Sequence, residues 1–339
     1  MPGPHEVLVE VAAVGICGSD VHYYEHGKLG ARVVRAPHIL GHEVSGRVVA
    51  LGPLATHHAP GDRVAIEPGV PCGACRECLS GHYNLCPTIR FLGAPPCDGA
   101  LRGRVAIRED FAFALPSQLS DGAGALIEPL AVAVWACRRG RVGTGDRVLV
   151  TGAGPIGQLV AQVARASGAA EVIVTDVSAA RLALAEALGA TRVLDARVEL
   201  SSAGAREMDV LLECSGDAAA LRQGIAALRP AARAVVVGMS ATGAIAVPLE
   251  AVHARELTIT ASFRYQRCYA AAIALAASGR VALGPLITHT FDLQDINDAL
   301  RATREDPAVV KILVLPARQA AGPTLDAIQA EPARHPTAA

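Results

Sequence analysis

The sequence predicts an α/β chain in two parts, an irregular β-rich domain and a doubly wound parallel sheet. Three features carry this. Short β-rich segments separated by glycines run to about Pro116, strand and helix patterns alternate from about Asp121 to Gly238, and Gly152-Ala153-Gly154-Pro155-Ile156-Gly157 follows an apolar strand and opens a helix. Such alternation argues for βαβ units around a parallel sheet. A chain of 339 residues suffices for roughly two domains of ordinary size.

Composition narrows the function classes. Hydrophobic residues make up 51% and charged residues 19%, with a formal net charge of -1. That is a self-burying globular balance, and without a basic excess it offers no footing for nucleic acid. No apolar run reaches the roughly 18 residues of a membrane span. Even Ala125 to Ala136 is broken by Glu128 and Pro129. The opening Met1-Pro2-Gly3-Pro4-His5-Glu6 lacks a charged segment followed by an apolar core, so the expected address is cytoplasmic.

In chain order, Val7 to Val14 alternates as a strand and leads into a glycine-turned loop carrying Cys17 and Ser19. Val44 to Leu51 and Arg63 to Glu67 are further strands, separated by the turn signal Pro60-Gly61-Asp62. Asp121 to Arg139 reads as one helix and Asp146 to Thr151 as a short apolar strand. Then come strand Glu171 to Asp176, helix Ala179 to Leu188, strand Asp209 to Glu213, helix Ala218 to Leu228 and strand Arg233 to Gly238. After Ser262 the β-rich texture returns, with strands Pro285 to Asp292 and Val309 to Leu315 around helix Ile296 to Arg304. The Ala- and Pro-rich tail from about Ala317 has no periodicity and reads as disordered.

The glycine string has a physical reading. Gly152 makes a tight turn, Gly154 lets the backbone approach a pyrophosphate, and Gly157 permits helix-on-strand packing, while Pro155 and Ile156 begin a helix whose free N–H groups favour an anion. Asp176, at the end of the next strand, is placed to accept hydrogen bonds from ribose hydroxyls and would repel a 2′-phosphate. NAD is therefore favoured over NADP, although Arg181 nearby offers a guanidinium that could serve a phosphate.

Two sets of residues read as metal ligands. Nine cysteines would frame a small secreted protein, but in this long chain Cys72, Cys75, Cys78 and Cys86 form C-x2-C-x2-C-x7-C, a closed four-thiolate site. An iron–sulfur cluster also takes four cysteines, but zinc suits the x7 gap better. Cys17, with the adjacent His42 and Glu43, offers sulfur, nitrogen and oxygen donors that suit a tetrahedral zinc with one open position. Cys97, Cys137, Cys214 and Cys268 read as packing residues.

Gly41-His42-Glu43, Gly46, Gly52, the Gly61-Asp62-Arg63-Val64 turn, the cysteine lobe and the later glycine string together resemble the zinc-containing medium-chain alcohol dehydrogenases. Within them the chain is most similar to polyol dehydrogenases of the sorbitol and xylitol type. The carrying strings are Gly15 to Tyr23, Ala65-Ile66-Glu67-Pro68-Gly69, Leu126-Ile127-Glu128-Pro129-Leu130 and Phe263-Arg264-Tyr265.

The resemblance covers about residues 3 to 315. It implies a GroES-like catalytic domain over 1–128 and 267–316, and a Rossmann domain for NAD over 129–266. It further implies a catalytic zinc held by Cys17, His42 and Glu43, with Glu128 at the fourth position directly or through water. Ser19 and His22 would relay a proton, and Tyr23, Arg264 and Tyr265 would line the polyol pocket. Ile156, Asp176, Arg181, Val237, Gly238, Met239 and Phe263 would touch the cofactor. A homotetramer is also implied. The chain departs from the family in starting at what resembles its second strand, and in carrying Ala55 where Val is usual.

The expected activity is oxidation of a secondary alcohol of a sugar alcohol to a ketose with NAD. Two alternatives stay open: another secondary alcohol, of the threonine or butanediol type, or a nucleotide-binding protein that has lost catalysis.

Overall fold

A computed structural model describes residues 1–35, 37–200, 204–240, 243–306 and 308–316. The tail expected to be disordered lies outside them. The described chain divides into two compact units, Met1–Glu128 with the residues from Ala272 onward, and Pro129–Ala271.

The first unit is built on a seven-stranded sheet in the order Ile287–Asp292, Lys311–Leu315, Glu6–Gly15, Glu43–Leu51, Arg63–Ile66 and Ala112–Ala114, with Arg104–Arg108 also paired to Glu6–Gly15. Alternation decides which face is buried. Val7, Val9 and Val11 turn inward and pack with Val44, Val48, Val64, Ile66, Val105 and Ile107. Register places Gly15 opposite Glu43 and also opposite Leu313, so the strand ends next to Cys17, His42 and Glu43 lie side by side.

The second unit is a six-stranded, all-parallel sheet in the order Arg192–Asp195, Glu171–Asp176, Arg147–Thr151, Met208–Glu213, Leu228–Val236 and Thr258–Ala261. In chain order that is 3-2-1-4-5-6, a doubly wound sheet whose order reverses between Arg147–Thr151 and Met208–Glu213. Leu149, Ile173, Leu211, Leu221 and Ile225 form its core. The fold class is thus the expected α/β pairing of a GroES-like domain with a Rossmann domain.

Most expected elements are shifted by a residue or two at an end, and three differ by more than that or in kind. The helix expected over Asp121 to Arg139 is two helices, Asp121–Ala125 and Ile127–Arg139. Pro129 explains the break, since its ring would clash with the carbonyl four residues back at Ala125, and it has no N–H to donate there. The strand expected from Arg233 begins at Leu228, directly after its helix, and ends at Val236 rather than Gly238. The loop expected to carry Cys17 and Ser19 gives way to helix Gly18–His26 after only Ile16 and Cys17, with Cys17 as its N-cap.

Candidate metal and cofactor sites

The ligand atoms of Cys17, His42 and Glu43 all lie within 4.8 Å of one another. Cys17 sits at the head of helix Gly18–His26, His42 immediately precedes strand Glu43–Leu51, and Glu43 opens it. Asp20 binds these pieces together. Wholly buried, it accepts from the backbone N–H of Cys17 at 3.0 Å and of Gly41 at 3.0 Å, and its Oδ1 faces His42 Nδ1 at 3.5 Å. A carboxylate on one imidazole nitrogen orients the other for a metal. Burial presses His42 towards its neutral form, but Asp20 and Cys17 outweigh it and raise the imidazole well above its usual pKa.

Glu43 carries a second partner. Lys311, itself buried, donates to both of its carboxylate oxygens at 2.8 Å and to the carbonyl of Ile16 at 3.0 Å. A Cβ on Gly15 would lie 2.0 Å from Glu43 Oε2, so only glycine leaves room for this carboxylate. Sulfur, imidazole and carboxylate donors around one point fit zinc with an open position. Glu128 is buried at the start of helix Ile127–Arg139 and feels Glu67 and Lys311, but it is not one of the three clustered donors.

The remaining first-unit candidates share one helix. Ser19 and His22 are half-buried, and the His22 ring lies 5.4 Å from that of His26. Tyr23 is buried with Phe91 and Ala94.

Cys72, Cys75, Cys78 and Cys86 form the second group with donors inside 4.8 Å. Two of the Sγ–Sγ separations are 3.4 and 3.9 Å. Zinc–sulfur bonds of about 2.3 Å in a tetrahedron require about 3.8 Å, so the four thiols fit that ion. Backbone N–H groups already point at sulfur, from Cys75 to Cys72 at 3.4 Å and from Cys72 to Cys86 at 3.5 Å. The N–H groups of Ala74 and Cys75 hold the Cys72 thiol down to about 6, in the thiolate range at neutral pH. Cys97, Cys137, Cys214 and Cys268 form no disulfide.

The glycine string occupies the turn after Arg147–Thr151 and the N-terminus of helix Pro155–Ala166. Gly152 has φ 87°, and a Cβ on Gly157 would lie 1.8 Å from the Gly152 carbonyl oxygen. A Cβ on Gly154 would meet nothing within 4 Å, which leaves an open cradle beside the helix N-terminus, where a phosphate suits the free N–H groups. Asp176 accepts from Ala153 N–H at 2.7 Å and Ser178 N–H at 2.8 Å, one on each oxygen. Each oxygen keeps a lone pair for a ribose hydroxyl.

Pro155 and Ile156 are the first two residues of the helix. Arg181 lies on the next helix, Ala179–Ala187, and its carbonyl accepts from Gln158 Nε2 at 2.8 Å. Val237 and Gly238 each donate a backbone N–H to the Glu213 carbonyl at 2.8 Å, and Met239 is exposed. Farther along this unit, the Arg264 guanidinium lies 4.8 Å over the exposed Phe263 ring, and buried Tyr265 packs on Tyr269.

Sequence reading passed over Asp20, Glu67, Glu213 and Lys311. Lys311 had a signal: it interrupts the apolar run Val309 to Leu315, and a lysine inside a buried strand needs an anionic partner.

Two families match the chain: the Alcohol dehydrogenase GroES-like domain over residues 3–117, and the Zinc-binding dehydrogenase domain over 155–278. Sorbitol dehydrogenase of Mus musculus is 44% identical over 313 residues, covering 89% of this chain and 87% of that one. Among solved structures, an Escherichia coli oxidoreductase/dehydrogenase of unknown specificity has a TM-score of 0.89 at 36% identity, over 93% of each chain. The 2R,3R-butanediol dehydrogenase of Bacillus subtilis has a TM-score of 0.84 at 32% identity, over 93% of this chain and 94% of its own.

Proposed function

The chain belongs to the zinc-containing medium-chain alcohol dehydrogenase family, close to its polyol dehydrogenases, and from that premise we propose that it oxidises a secondary alcohol of a sugar alcohol to a ketose with NAD. The observation that carries this reading is the Cys17, His42 and Glu43 donor set, inside 4.8 Å and held from behind by Asp20 and Lys311. A protein that only bound nucleotide would need no such open set.

Cys17, His42 and Glu43 would hold a catalytic zinc, with Glu128 completing the set directly or through water. Zinc bound there supplies Lewis acidity, which lowers the pKa of an oxygen ligand at neutral pH. The chain's own residues do the rest. Asp20 and Lys311 keep the imidazole and the carboxylate in place, and Ser19 and His22 carry the alcohol proton towards solvent. Tyr23, Arg264 and Tyr265 hold the polyol hydroxyls.

The glycine turn, Pro155, Ile156, Asp176, Arg181, Val237, Gly238, Met239 and Phe263 would bind NAD, the hydride acceptor. Asp176 supports NAD over NADP, because a ribose 2′-phosphate would meet its charge. The cysteine lobe would hold a second, structural zinc. Residues 1–128 and 267–316 act in this reading as the catalytic domain and 129–266 as the cofactor domain, in a cytoplasmic homotetramer. No described helix is long and apolar enough to cross a membrane.

The test is NAD reduction, followed by absorbance, with xylitol, sorbitol and 2,3-butanediol, before and after chelation of zinc. Zinc-dependent turnover on a polyol, abolished in a folded H42A variant, supports the reading. Unchanged turnover in H42A sinks it. Turnover on butanediol alone would favour the second reading, which the likeness to the Bacillus subtilis enzyme keeps in view.

A further inference from the structure

Glu213 ends strand Met208–Glu213, which pairs with Arg147–Thr151 where the strand order reverses. A dinucleotide lies across that position, one half over each set of strands. Gly152 follows the first strand in chain order, Asp176 ends the second, and both serve the adenosine side. Strands four to six are left for the nicotinamide side.

The Glu213 side chain is wholly buried, and four donors converge on one of its oxygens. Oε1 accepts from the N–H of Ser215 at 2.7 Å, the N–H of Gly216 at 2.9 Å, the Ser215 hydroxyl, and the Thr151 hydroxyl at 3.4 Å. Its backbone carbonyl accepts from Val237 and Gly238. One residue therefore ties together the ends of three strands. The turns it ties touch backbone to backbone: a Cβ on Gly216 would lie 2.2 Å from the Met239 carbonyl oxygen, and one on Gly238 would lie 2.3 Å from Gly216 N.

The other oxygen, Oε2, is buried and has no hydrogen-bond partner among the described residues, and no described cation pairs with Glu213. A buried anion without a cation is costly, and its field acts over a longer range than in water. A dinucleotide changes charge in this half: the oxidised nicotinamide ring is cationic and the reduced ring is neutral.

We propose that Glu213 is a positioning residue for the nicotinamide half of the cofactor, and that its charge makes the second unit favour the oxidised cofactor over the reduced one. This rests on the nicotinamide-cofactor reading above. Oε1 shapes the turns on which the ring lies, and the unpaired charge discriminates between its redox states.

The test is binding rather than turnover. NAD and NADH are titrated separately into the full chain by calorimetry, for wild type and E213Q, with thermal unfolding as the check on folding. Gln keeps an acceptor oxygen for the turn and removes the charge. The expected result is a rise of about tenfold in the ratio of NAD to NADH dissociation constants, about 1.4 kcal/mol, with NADH binding within about twofold of wild type.

An equal loss for both cofactors, or an unchanged ratio, would overturn the charge role. Should E213Q not fold, S215A removes a hydroxyl whose dipole offsets the anion, and the ratio is expected to move about twofold the other way; no movement overturns the proposal. Failure of the wild type to bind either cofactor would instead remove the nicotinamide reading on which it stands.

Discussion

Lys311 Nζ stands 2.8 Å from both carboxylate oxygens of Glu43, with each side chain almost wholly buried. Burial favours a neutral lysine, but Glu43 and Cys17 outweigh it and raise the ammonium above its usual pKa. The candidate metal ligand is thus already fixed by a cation from strand Lys311–Leu315.

Replacing Lys311 with Met strands a buried carboxylate. K311M is expected to lose about 3–5 kcal/mol of stability, because an uncompensated charge stays behind. Urea unfolding checks it, and K311M with E43Q is expected to recover part of the loss. A K311M chain as stable as wild type would show that the pair contributes nothing net.

Gly15 leaves the room that Glu43 needs. G15A puts a carbon 2.0 Å from Glu43 Oε2 and 3.0 Å from its Cδ, so the carboxylate must leave Lys311 or the strands must part. Overpacking of this kind costs about 1–3 kcal/mol. Zinc content and unfolding midpoint are both expected to fall, and an unchanged zinc stoichiometry would argue against Glu43 as a ligand.

Asp176 is the residue expected to choose the cofactor. In D176A the Ala153 N–H loses its acceptor and the ribose loses a partner, so KM for NAD is expected to rise about tenfold while the barrier to NADP falls. Steady-state kinetics with both cofactors decide it. NADP preference already present in the wild type would reverse the cofactor assignment.

The cysteine lobe and the Cys17 set are expected to hold about two zinc ions per chain. C75S is expected to lower that to about one and to reduce the melting temperature, since a structural ion adds its binding energy to folding. Metal analysis after dialysis reads this directly. Two ions retained in C75S would remove the lobe as a zinc site.

Glu67 gives the stability a pH slope. Burial pushes its carboxyl up to about 7, with Glu128 adding to the rise and the Tyr83 hydroxyl, 2.6 Å away, opposing it. A raised folded-state pKa contributes stability that is fully present below about 4.5 and lost as pH rises through about 7. E67Q is expected to remove about 3 kcal/mol of that pH dependence between pH 4.5 and 8. Denaturant unfolding at both pH values measures it, and parallel slopes for E67Q and wild type would refute the assignment.

The sequence by itself determined what is written over short distances. Alternating valines marked Val7 to Val14, within observed strand Glu6–Gly15, the glycine string with its flanking strand marked the dinucleotide turn, and C-x2-C-x2-C-x7-C brought four sulfurs into one lobe, because turns and helix starts obey local spacing. Even locally one conflict escaped: helix periodicity ran through Pro129 and hid the break at Leu126.

Tertiary structure decided what depends on strand register. Glu43 meets Gly15 because two strands pair antiparallel in that register, and Lys311 reaches Glu43 across 268 positions of sequence only because its own strand pairs with the far side of Glu6–Gly15. No spacing rule connects residues that far apart, since the sheet closes the distance through backbone hydrogen bonds common to every sequence. The convergence of Asp20 on Cys17, Gly41 and His42, and of three strand ends on Glu213, has the same origin.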